Sequence, residues 1–354
     1  MTEIRRMFLG GNTVDGFYAL HDNMIGLNRN RLFILKGMPG GGKSSLMKKI
    51  AEYMTEEGFD IEYHHCPSDA ESIDSILIKK LNIAIADGTY PHIIDPTYPG
   101  LTDKLIDLGR FIDSTKLMES KEEIMRAKKD NKIAYRKAFA YFKSAKTIYE
   151  EIVQNNRTGV DFSKVNYRTK QLIEDIFSKK AKYDGEEDFN ERHMFSNANT
   201  PEGFVEYTET ILKWIPTIYY IEGEIGTGKS TLIKRLIEES KIRGYSIEIY
   251  HNSTFPEKIE TLIIKDINTC ITSNKLGLDF PHNSINLNEY FNEDVKDNSD
   301  YETYDFLIEK AILSLKAARK NHEILEKCYK PAVDYDGVNE VREEILEEIL
   351  TCAN

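Results

Sequence analysis

Short apolar runs alternate with amphipathic segments along this chain, and the alternation occurs twice. Residues 32–35 read Leu-Phe-Ile-Leu and residues 218–221 read Ile-Tyr-Tyr-Ile, which is typical of strands buried in a parallel sheet. In the first occurrence, the pattern predicts strands at 32–36, 59–65 and 81–86 and helices at 43–57 and 71–80. Strands that alternate with helices predict an α/β fold, in which a parallel sheet is flanked by helices.

The chain repeats itself after 186 residues. Residues 32–82 align with residues 218–268, and Gly58 and His65 in the first copy match Gly244 and His251 in the second. We therefore predict two tandem units of ordinary domain size. The first is residues 1–186, with a core at 5–100 and a helical tail at 101–180; the second is residues 187–354, with a core at 190–285 and a helical tail at 300–351. The polar stretch 179–191 is the predicted boundary.

A shorter repeat, which we call the Asn-Thr motif, lies near the start of each core, ahead of the first apolar run. Residues 12–17 read Asn-Thr-Val-Asp-Gly-Phe and residues 199–204 read Asn-Thr-Pro-Glu-Gly-Phe. Thr followed by Pro is typical of a helix N-terminus. The motif therefore predicts a helix over residues 16–28 that Thr13 introduces. The alternative is that this segment lies beside a nucleotide base.

Each tail carries an apolar stripe with helical spacing. The stripe of the first tail is Ala138, Phe142, Ala145, Tyr149 and Ile152, and the second tail repeats it as Ala311, Leu315, Ala318, His322 and Leu325. Such a stripe indicates a helix packed on another helix. We expect the partner to be the segment that follows in the same tail, so that each unit ends in an α-helical hairpin. The alternative is a lid, or a hairpin that binds a protein partner.

Both cores carry the pattern G-x-x-x-x-G-K-[ST], at residues 37–44 and 223–230. In these two phosphate loops, glycines allow consecutive backbone N–H groups to surround a phosphate, and the following helix points its N-terminus at it. Lys43 and Lys229 are expected to reach the β- and γ-phosphates, and Ser44 and Ser230 to bind Mg²⁺. The predicted ATP-binding residues are Gly37, Gly40, Gly41, Gly42, Lys43, Ser44 and Ser45, and then Gly223, Gly226, Thr227, Gly228, Lys229, Ser230 and Thr231.

A second acidic group for Mg²⁺ is expected at the end of a strand beside the loop. Asp87 ends the apolar run 81–86 and is the predicted metal ligand and catalytic residue, with Asp95 as the competitor. The second copy has Ser273 at the corresponding position, and its next carboxylate is Asp279. The missing acid predicts that the first site turns over nucleotide, while the second binds it without efficient hydrolysis.

His65 and His251 recur at the end of the same predicted strand. In a parallel sheet that end would face the phosphates, so His65 is a candidate catalytic residue that contacts the γ-phosphate or orients a substrate. A purely structural role is the alternative.

Composition limits the function classes. The net charge is −12 and the pI is about 5.3, which argues against nucleic-acid binding because that affinity comes largely from neutralised phosphates. No apolar run is long enough for a membrane span. The N-terminus lacks a signal-peptide pattern, and the four cysteines lack metal or disulfide spacing. These features predict a cytoplasmic protein.

The Asn-Thr motif, the paired phosphate loops and the segment 87–100, which reads DGTYPHIIDPTYPG, together resemble an uncharacterised bacterial family of duplicated P-loop ATPase or NTP-binding proteins. The resemblance covers most of the chain. It implies two tandem P-loop NTPase domains and nucleotide binding by both phosphate loops. It implies no particular substrate beyond the nucleotide.

Three functions are compatible with these patterns. The first is a Mg²⁺-dependent ATPase with an active first half and a regulatory second half. The second is a P-loop kinase for a small molecule or nucleotide, although Arg110 and Arg126 are isolated rather than clustered for a phosphorylated acceptor. The third is a nucleotide-gated module that binds a protein partner without hydrolysis.

Overall fold

The computed structural model describes residues 2–91, 93–178 and 190–353. Most of the predicted boundary, 179–191, lies outside these ranges. The first half contains β1 (Ile4–Phe8), β2 (Gly10–Thr13), β3 (Gly16–Ala19), β4 (Arg31–Lys36), α1 (Lys43–Glu56), β5 (Ile61–Cys66), β6 (Asp69–Ile78), β7 (Ile83–Asp87), β8 (Asp103–Asp107), α2 (Ser114–Glu119), α3 (Lys121–Arg157) and α4 (Phe162–Phe177).

The second half repeats this order with two differences: a short helix, α5, follows β11, and a 3-10 helix, Glu293–Val295, stands where the first half has α2. It contains β9 (Glu191–Met194), β10 (Asn197–Thr200), β11 (Gly203–Glu206), α5 (Thr208–Leu212), β12 (Thr217–Glu222), α6 (Lys229–Ile242), β13 (Ile247–His251), β14 (Ile259–Ile264), β15 (Thr269–Thr272), β16 (Asn283–Asn286), α7 (Asn298–Tyr329) and α8 (Tyr335–Ala353).

Each half is an α/β unit built on a six-stranded sheet. The strand orders are β1-β5-β6-β7-β4-β8 and β16-β12-β15-β14-β13-β9, which are the same arrangement written in opposite directions. The predicted parallel sheet is wrong in detail, because β6 and β14 run antiparallel to both of their neighbours and the sheets are therefore mixed. The predicted first core, 5–100, also ends too early, because β8 completes the first sheet beside β4.

The helix predicted over 71–80 is instead strand β6. Its apolar residues are not confined to one face: Ile73, Ile76 and Ile78 pack in the core on one side of the sheet, and Leu77 packs on the other side. A strand buried on both faces does not alternate between apolar and polar residues, so the two-residue period of a strand is not visible in its sequence. The β-branched isoleucines were the remaining signal for a strand.

The Asn-Thr motif does not cap a helix. It forms the turn between β2 and β3, where the Thr13 hydroxyl accepts the N–H of Asp15 (3.1 Å) and donates to the carbonyl of Gly16 (2.9 Å). Gly16 has φ +97°, a left-handed conformation that favours glycine. The same bonds recur in the second half, where the Thr200 hydroxyl accepts the N–H of Glu202 and donates to the carbonyl of Gly203. The helix predicted over 16–28 is therefore wrong, since the motif encodes a hairpin.

The two sheets pack on each other. A shared apolar cluster joins one face of the first sheet, with Met7, Ile34 and Ala86, to one face of the second, with Ile218 and Cys270. At its edge, the backbones of Phe8 and Phe195 exchange hydrogen bonds of 2.8 and 3.0 Å. The halves therefore share a core across an approximate twofold relationship.

Four charged side chains meet within this interface; Arg5, Glu62 and Glu248 are buried and Arg192 is partly buried. Arg5 donates to Glu248 (3.1 Å) in the other half, and Arg192 donates to Glu62 (2.8 Å) in the other direction. Arg5 also pairs with Glu62 at 3.4 Å. Glu62 and Glu248 occupy matching positions in the 186-residue repeat, and reciprocal ion pairs between the halves explain why both are glutamates.

The outer face of each sheet is covered by a helix from the other half of the sequence. Helix α8 contributes Val338, Val341 and Ile345 to the core of the first sheet, together with residues of α1. Helix α4 contributes Val165 and Leu172 to the core of the second sheet, together with residues of α6. The final helices of the two tails are exchanged, so each core needs both halves of the chain.

The predicted α-helical hairpins are also wrong in their pairing. The stripes of α3 and α7 face each other, and Ala138, Phe142, Ala311 and Leu315 form one buried cluster. Asn131 in the N-terminal half of α3 donates to the carbonyl of Ala318 in the C-terminal half of α7 (3.0 Å). Asn156 at the end of α3 donates to the Tyr301 hydroxyl near the start of α7 (2.7 Å). The two long helices are therefore antiparallel. A stripe predicts packing on a helix but does not identify which helix, and here the partner comes from the other repeat.

Candidate functional site

The first phosphate loop connects β4 to α1. Gly40 and Gly42 have φ values of +68° and +84°, which side chains with a Cβ rarely adopt. Gly42 is the N-cap of α1 and has no side-chain oxygen to accept the N–H groups of the first helical turn. Those N–H groups are free to bind an anion from solution, which is the arrangement expected of a phosphate site.

The structure brings Lys43 and Asp87 together at this loop. Strand β7 lies beside β4, with Asp87 in register with Leu35, and the Asp87 carboxylate is 3.5 Å from the Lys43 ammonium. Lys43 also donates to the carbonyl of Met38 (3.0 Å), and Asp87 accepts the N–H of Thr89 (2.8 Å). The predicted cation and carboxylate therefore face the same small volume at the mouth of the loop.

The two predicted metal-binding serines have matching surroundings. Ser44 Oγ accepts the N–H of Ile73 (3.0 Å), and Ser230 Oγ accepts the N–H of Ile259 (2.9 Å). Each hydroxyl keeps its proton and one lone pair for a further partner. Ser45 and Thr231, the next residues on each helix, are exposed.

The second phosphate loop has the same backbone but different side-chain partners. Gly226 and Gly228 have φ values of +87° and +106°. Lys229 donates to the carbonyls of Gly223 and Glu224, the latter at 2.9 Å. Burial lowers the pKa of Lys229 to about 8. In this loop the lysine is therefore held by its own backbone.

Thr227 is buried, and its hydroxyl forms a hydrogen bond inside the second loop. Its hydroxyl donates to the carbonyl of Glu224 (2.8 Å), and a Cβ at Gly223 would lie 2.5 Å from that hydroxyl oxygen. The glycine at the start of the loop is therefore required by packing as well as by any ligand.

A carboxyl group near Lys229 was missed by the sequence reasoning. Glu260 follows Ile259 on β14, and its carboxylate accepts from the amides of Asn197 (2.7 Å) and Asn274 (3.4 Å). Burial and the neighbouring Glu206 charge raise the pKa of Glu260 to about 7. Asp74 occupies the same position in the first copy, so an acidic residue recurring in the repeat was the available signal. It was hidden by the assignment of this segment to a helix.

His65 is not brought to the first phosphate loop. Strand β5 is separated from β4 by β6 and β7, which is three strand spacings or about 14 Å. One His65 ring nitrogen lies 2.7 Å from the carbonyl of Ala70, and the other lies 3.0 Å from the Arg6 guanidinium. The ring also packs at 4.4 Å from the ring of Tyr207 in the second half. Burial lowers the pKa of His65 to about 4.

His251 occupies the corresponding place in the second half. It lies 2.8 Å from His193 and also contacts the carbonyl of Pro256. His65 therefore contacts the other half directly through Tyr207, whereas His251 contacts His193, whose backbone N–H donates to the Asn23 side chain of the first half (2.9 Å).

The segment 87–100 lies beside β4, between β7 and β8. Lys36, at the end of β4, donates to the carbonyl of Gly88 (2.6 Å) and lies 3.7 Å from Asp95. The Asp95 side chain is 79% exposed, unlike that of Asp87. Asp103 accepts the N–H groups of Thr97 and Tyr98 and anchors the end of the segment. His92 of this segment lies outside the described residues.

Each phosphate loop is contacted by the junction between two tail helices of the other half. The Tyr335 hydroxyl, at the start of α8, donates to the carbonyl of Gly40 (2.8 Å). The Asn156 amide, at the end of α3, donates to the carbonyl of Ile225 (2.8 Å). A change in the conformation of either loop would therefore alter its contacts with helices that belong to the other repeat.

A cleft of about 360 Å³ is lined by residues outside both phosphate loops. It is lined by Arg110, Phe111, Ile112, Asp113, Lys116, Ala332, Val333 and Asp334. The Arg110 guanidinium lies over the Phe111 ring, 4.6 Å from its centroid. Arg110, an isolated candidate for binding a phosphorylated acceptor, thus lines a cleft to which neither phosphate loop contributes.

The residues at the first loop fit a magnesium–nucleotide complex. Within the described ranges, no three His, Cys, Asp or Glu side chains converge as a metal site. Mg²⁺ with a nucleotide does not need such a cluster, because it takes one or two protein oxygens and completes its shell with phosphate oxygens and waters. The Ser44 hydroxyl and the Asp87 carboxylate supply oxygens of the required type.

Comparisons with known proteins identify no relative of this chain. No protein-family model, curated protein or solved structure matches it. Among the residues that the structure describes, none of the helices combines the length and the apolar character needed to cross a membrane.

Proposed function

We propose that this protein binds a nucleoside triphosphate with Mg²⁺ at the first phosphate loop and hydrolyses it. The observation that carries the proposal is the 3.5 Å approach of Asp87 to Lys43, in front of a loop whose glycines adopt left-handed conformations. A cation and a carboxylate at that place match the needs of a phosphate chain and its metal ion.

Each group at the first loop would have its own role in nucleotide binding and hydrolysis. Backbone N–H groups of residues 40–44 would bind the phosphates, and Lys43 would leave Asp87 for the terminal phosphate oxygens. Ser44 and Asp87 would hold Mg²⁺. The bound metal ion would neutralise phosphate charge, and the protein side chains would orient the terminal phosphate towards water.

The second loop is proposed to bind nucleotide without efficient turnover. Its neighbouring strand β15 ends at Thr272, so it lacks the carboxylate that Asp87 places beside the first loop. Lys229 is occupied by loop carbonyls, and Glu260 is close to half-protonated near neutral pH because its pKa is raised to about 7. These features favour a regulatory role for the second half.

The test is Mg²⁺-dependent phosphate release from ATP by the full chain and four variants. We expect Lys43→Ala and Asp87→Asn to abolish most turnover, while Lys229→Ala keeps a substantial part of it. Asp95→Asn is the matched control for Asp87, because Asp95 lies in the same segment and is exposed. If Lys43→Ala left turnover intact and Lys229→Ala abolished it, the assignment of the active half would be wrong.

The same assay separates hydrolysis from its alternatives. Phosphate released to water supports an ATPase. ADP formation that needs an added acceptor would support a kinase. Thermal stabilisation by nucleotide without turnover would support a nucleotide-gated module.

A further inference from the structure

The first phosphate loop is contacted by a lysine from the second half of the chain. Lys330 follows the last residue of α7, and its side chain lies along Gly40. A Cβ at Gly40 would be 2.9 Å from Lys330 Cγ and 3.2 Å from Lys330 Cε. The aliphatic stem of Lys330 is thus packed against the part of the loop whose N–H groups are proposed to bind phosphate.

The Lys330 ammonium is held by Glu326, one helical turn earlier. The Nζ–Oε2 distance is 2.9 Å. Glu326 also lies 3.4 Å from His322 and 3.5 Å from Arg319. Hydrogen bonding from His322 and Lys330 lowers the pKa of Glu326 to about 2, so this carboxylate is ionised throughout the physiological range. One carboxylate is therefore shared by two cations and a histidine beside the loop.

Arg319 ties the same cluster to the first half. Its guanidinium lies 3.1 Å from Asp69, the first residue of β6. The same strand provides the N–H of Ile73 that binds Ser44 Oγ. The end of α7 therefore contacts the loop at Gly40 and also contacts the strand that positions the predicted metal-binding serine.

The second phosphate loop lacks the equivalent arrangement. With the tails aligned as Ala138 to Ala311, Glu326 corresponds to Val153 and Lys330 corresponds to Arg157. The Arg157 guanidinium lies over the Phe162 ring, 5.2 Å from its centroid. The restraining carboxylate is thus a feature of the first site alone.

We propose that Lys330 is a nucleotide-binding residue of the first site, supplied by the second half, and that Glu326 holds it until a triphosphate competes for its ammonium. This inference rests on the proposed nucleotide binding at the first loop. The ligand class is a polyphosphate, because a terminal phosphate offers more negative charge than the single carboxylate of Glu326. Binding of triphosphate would exchange the Lys330–Glu326 pair for a Lys330–phosphate pair, and so couple the first site to helix α7.

The test is calorimetric titration of the full chain carrying Lys229→Ala, so that the first loop alone reports, with Mg-ATP and Mg-ADP as probes. We expect Lys330→Ala to weaken Mg-ATP binding about tenfold and Mg-ADP binding less, and Lys330→Arg to restore most of it. Glu326→Gln should tighten Mg-ATP binding several-fold, because it removes the competing charge. Lys327→Ala, an exposed lysine on the same turn of α7, is the matched control and should bind like the parent.

Lys330→Ala is expected to weaken Mg-ATP binding and Glu326→Gln to tighten it. Because a loss of stability would not produce both effects, the proposal can be tested even if one variant is less stable. If Lys330→Ala and Lys327→Ala bound alike, or if Glu326→Gln weakened binding as much as Lys330→Ala, Lys330 would have only a structural role. The proposed function is tested separately by Lys43→Ala in the same background. If the parent chain bound Mg-ATP and Lys43→Ala abolished that binding while Lys330→Ala did not weaken it, the role of Lys330 would be overturned and nucleotide binding at the first loop would stand. A parent that binds no Mg-ATP would overturn both.

Discussion

Asn12 and Asn199 bind each other's backbone across the interface between the two halves. The Asn12 amide donates to the carbonyl of Asn199 (3.0 Å), and the Asn199 amide donates to the carbonyl of Asn12 (3.2 Å). Both side chains are buried. The asparagine of the Asn-Thr motif therefore recurs because the two copies pair with each other.

Replacing either asparagine should weaken the contact between the halves. We expect Asn12→Ala to lower the free energy of unfolding by about 2 kcal/mol, because it leaves buried backbone carbonyls without their donor. Asn298→Ala, at an exposed position, is the control and should have little effect. Asn199→Ala should cause a similar loss, because each amide donates to a backbone carbonyl that alanine retains. Denaturant unfolding measures both losses, and losses no larger than that of Asn298→Ala would contradict the pairing.

The exchange of α4 and α8 makes a prediction about which half each helix stabilises. Ile345→Ala in α8 should cost about 2–5 kcal/mol and should speed hydrogen exchange mainly in residues 31–56 of the first half, where Ile345 is buried. Leu172→Ala in α4 should act mainly on residues 217–242 of the second half. Leu313→Ala, on an exposed part of α7, serves as control. Faster exchange confined to the half that carries each mutation would show that the helices are not exchanged.

The buried ion pairs predict a loss of stability in acid. Burial alone would raise the pKa of Glu248, but the charges of Arg5 and Arg192 outweigh it and lower that pKa to about 2, from an ordinary value of 4.5. A lowered folded-state pKa means that the carboxylate stabilises the fold above pH 4.5, and that this contribution is lost as the pH falls towards 2.

Glu248→Gln should reveal that contribution. Near pH 7 the variant should be less stable by about 3 kcal/mol, because it leaves Arg5 partly uncompensated. The difference from wild type should shrink between pH 4.5 and about pH 2, measured by urea unfolding. Glu238→Gln on the exposed face of α6 is the control. A difference that stayed constant with pH would mean that Glu248 is not ionised in the native interface.

Glu260 predicts the opposite pH dependence. Its folded-state pKa is raised to about 7 from 4.5, first by burial and then by Glu206. The protonated group is compatible with the fold below pH 4.5, and stability is lost as the pH rises from 4.5 through 7. Glu260→Gln should therefore gain up to about 3 kcal/mol of stability relative to wild type near pH 8, with little gain near pH 5. Denaturant unfolding at both pH values, with exposed Glu257→Gln as control, measures this. An equal stability gain from Glu260→Gln at pH 5 and pH 8 would show that Glu260 does not titrate between these two pH values.

The strand–loop–helix units at both phosphate loops were predictable because their signals are local. Glycines at Gly40 and Gly42 mark the turn, apolar residues mark β4, and Asp87 follows the next apolar strand of the sheet. The 3.5 Å approach of Asp87 to Lys43 has the geometry that this reasoning required. Nucleotide binding and hydrolysis stay predictions.

The arrangement of the helices was not predictable for a physical reason. The stripe of α3, with Ala138 and Phe142, matches the stripe of α7 in size and spacing as well as it matches any segment of its own tail. Hydrophobic burial is not directional, so the choice of partner depends on the whole chain. The same applies to His65, whose contact with Tyr207 depends on how two distant repeats meet.

The exchanged helices bear on how such a chain could arise. A single copy of the repeat would bury the outer face of its sheet only by accepting the last helix of another copy, which would return the exchange and form a closed pair. The present chain is equivalent to such a domain-swapped homodimer whose subunits have been fused. Fusion allows the two copies to diverge, so that Glu326 and Asp87 can specialise one site while the other has Val153 and Ser273 at the matching positions. An isolated half is expected to dimerise or to fail to fold.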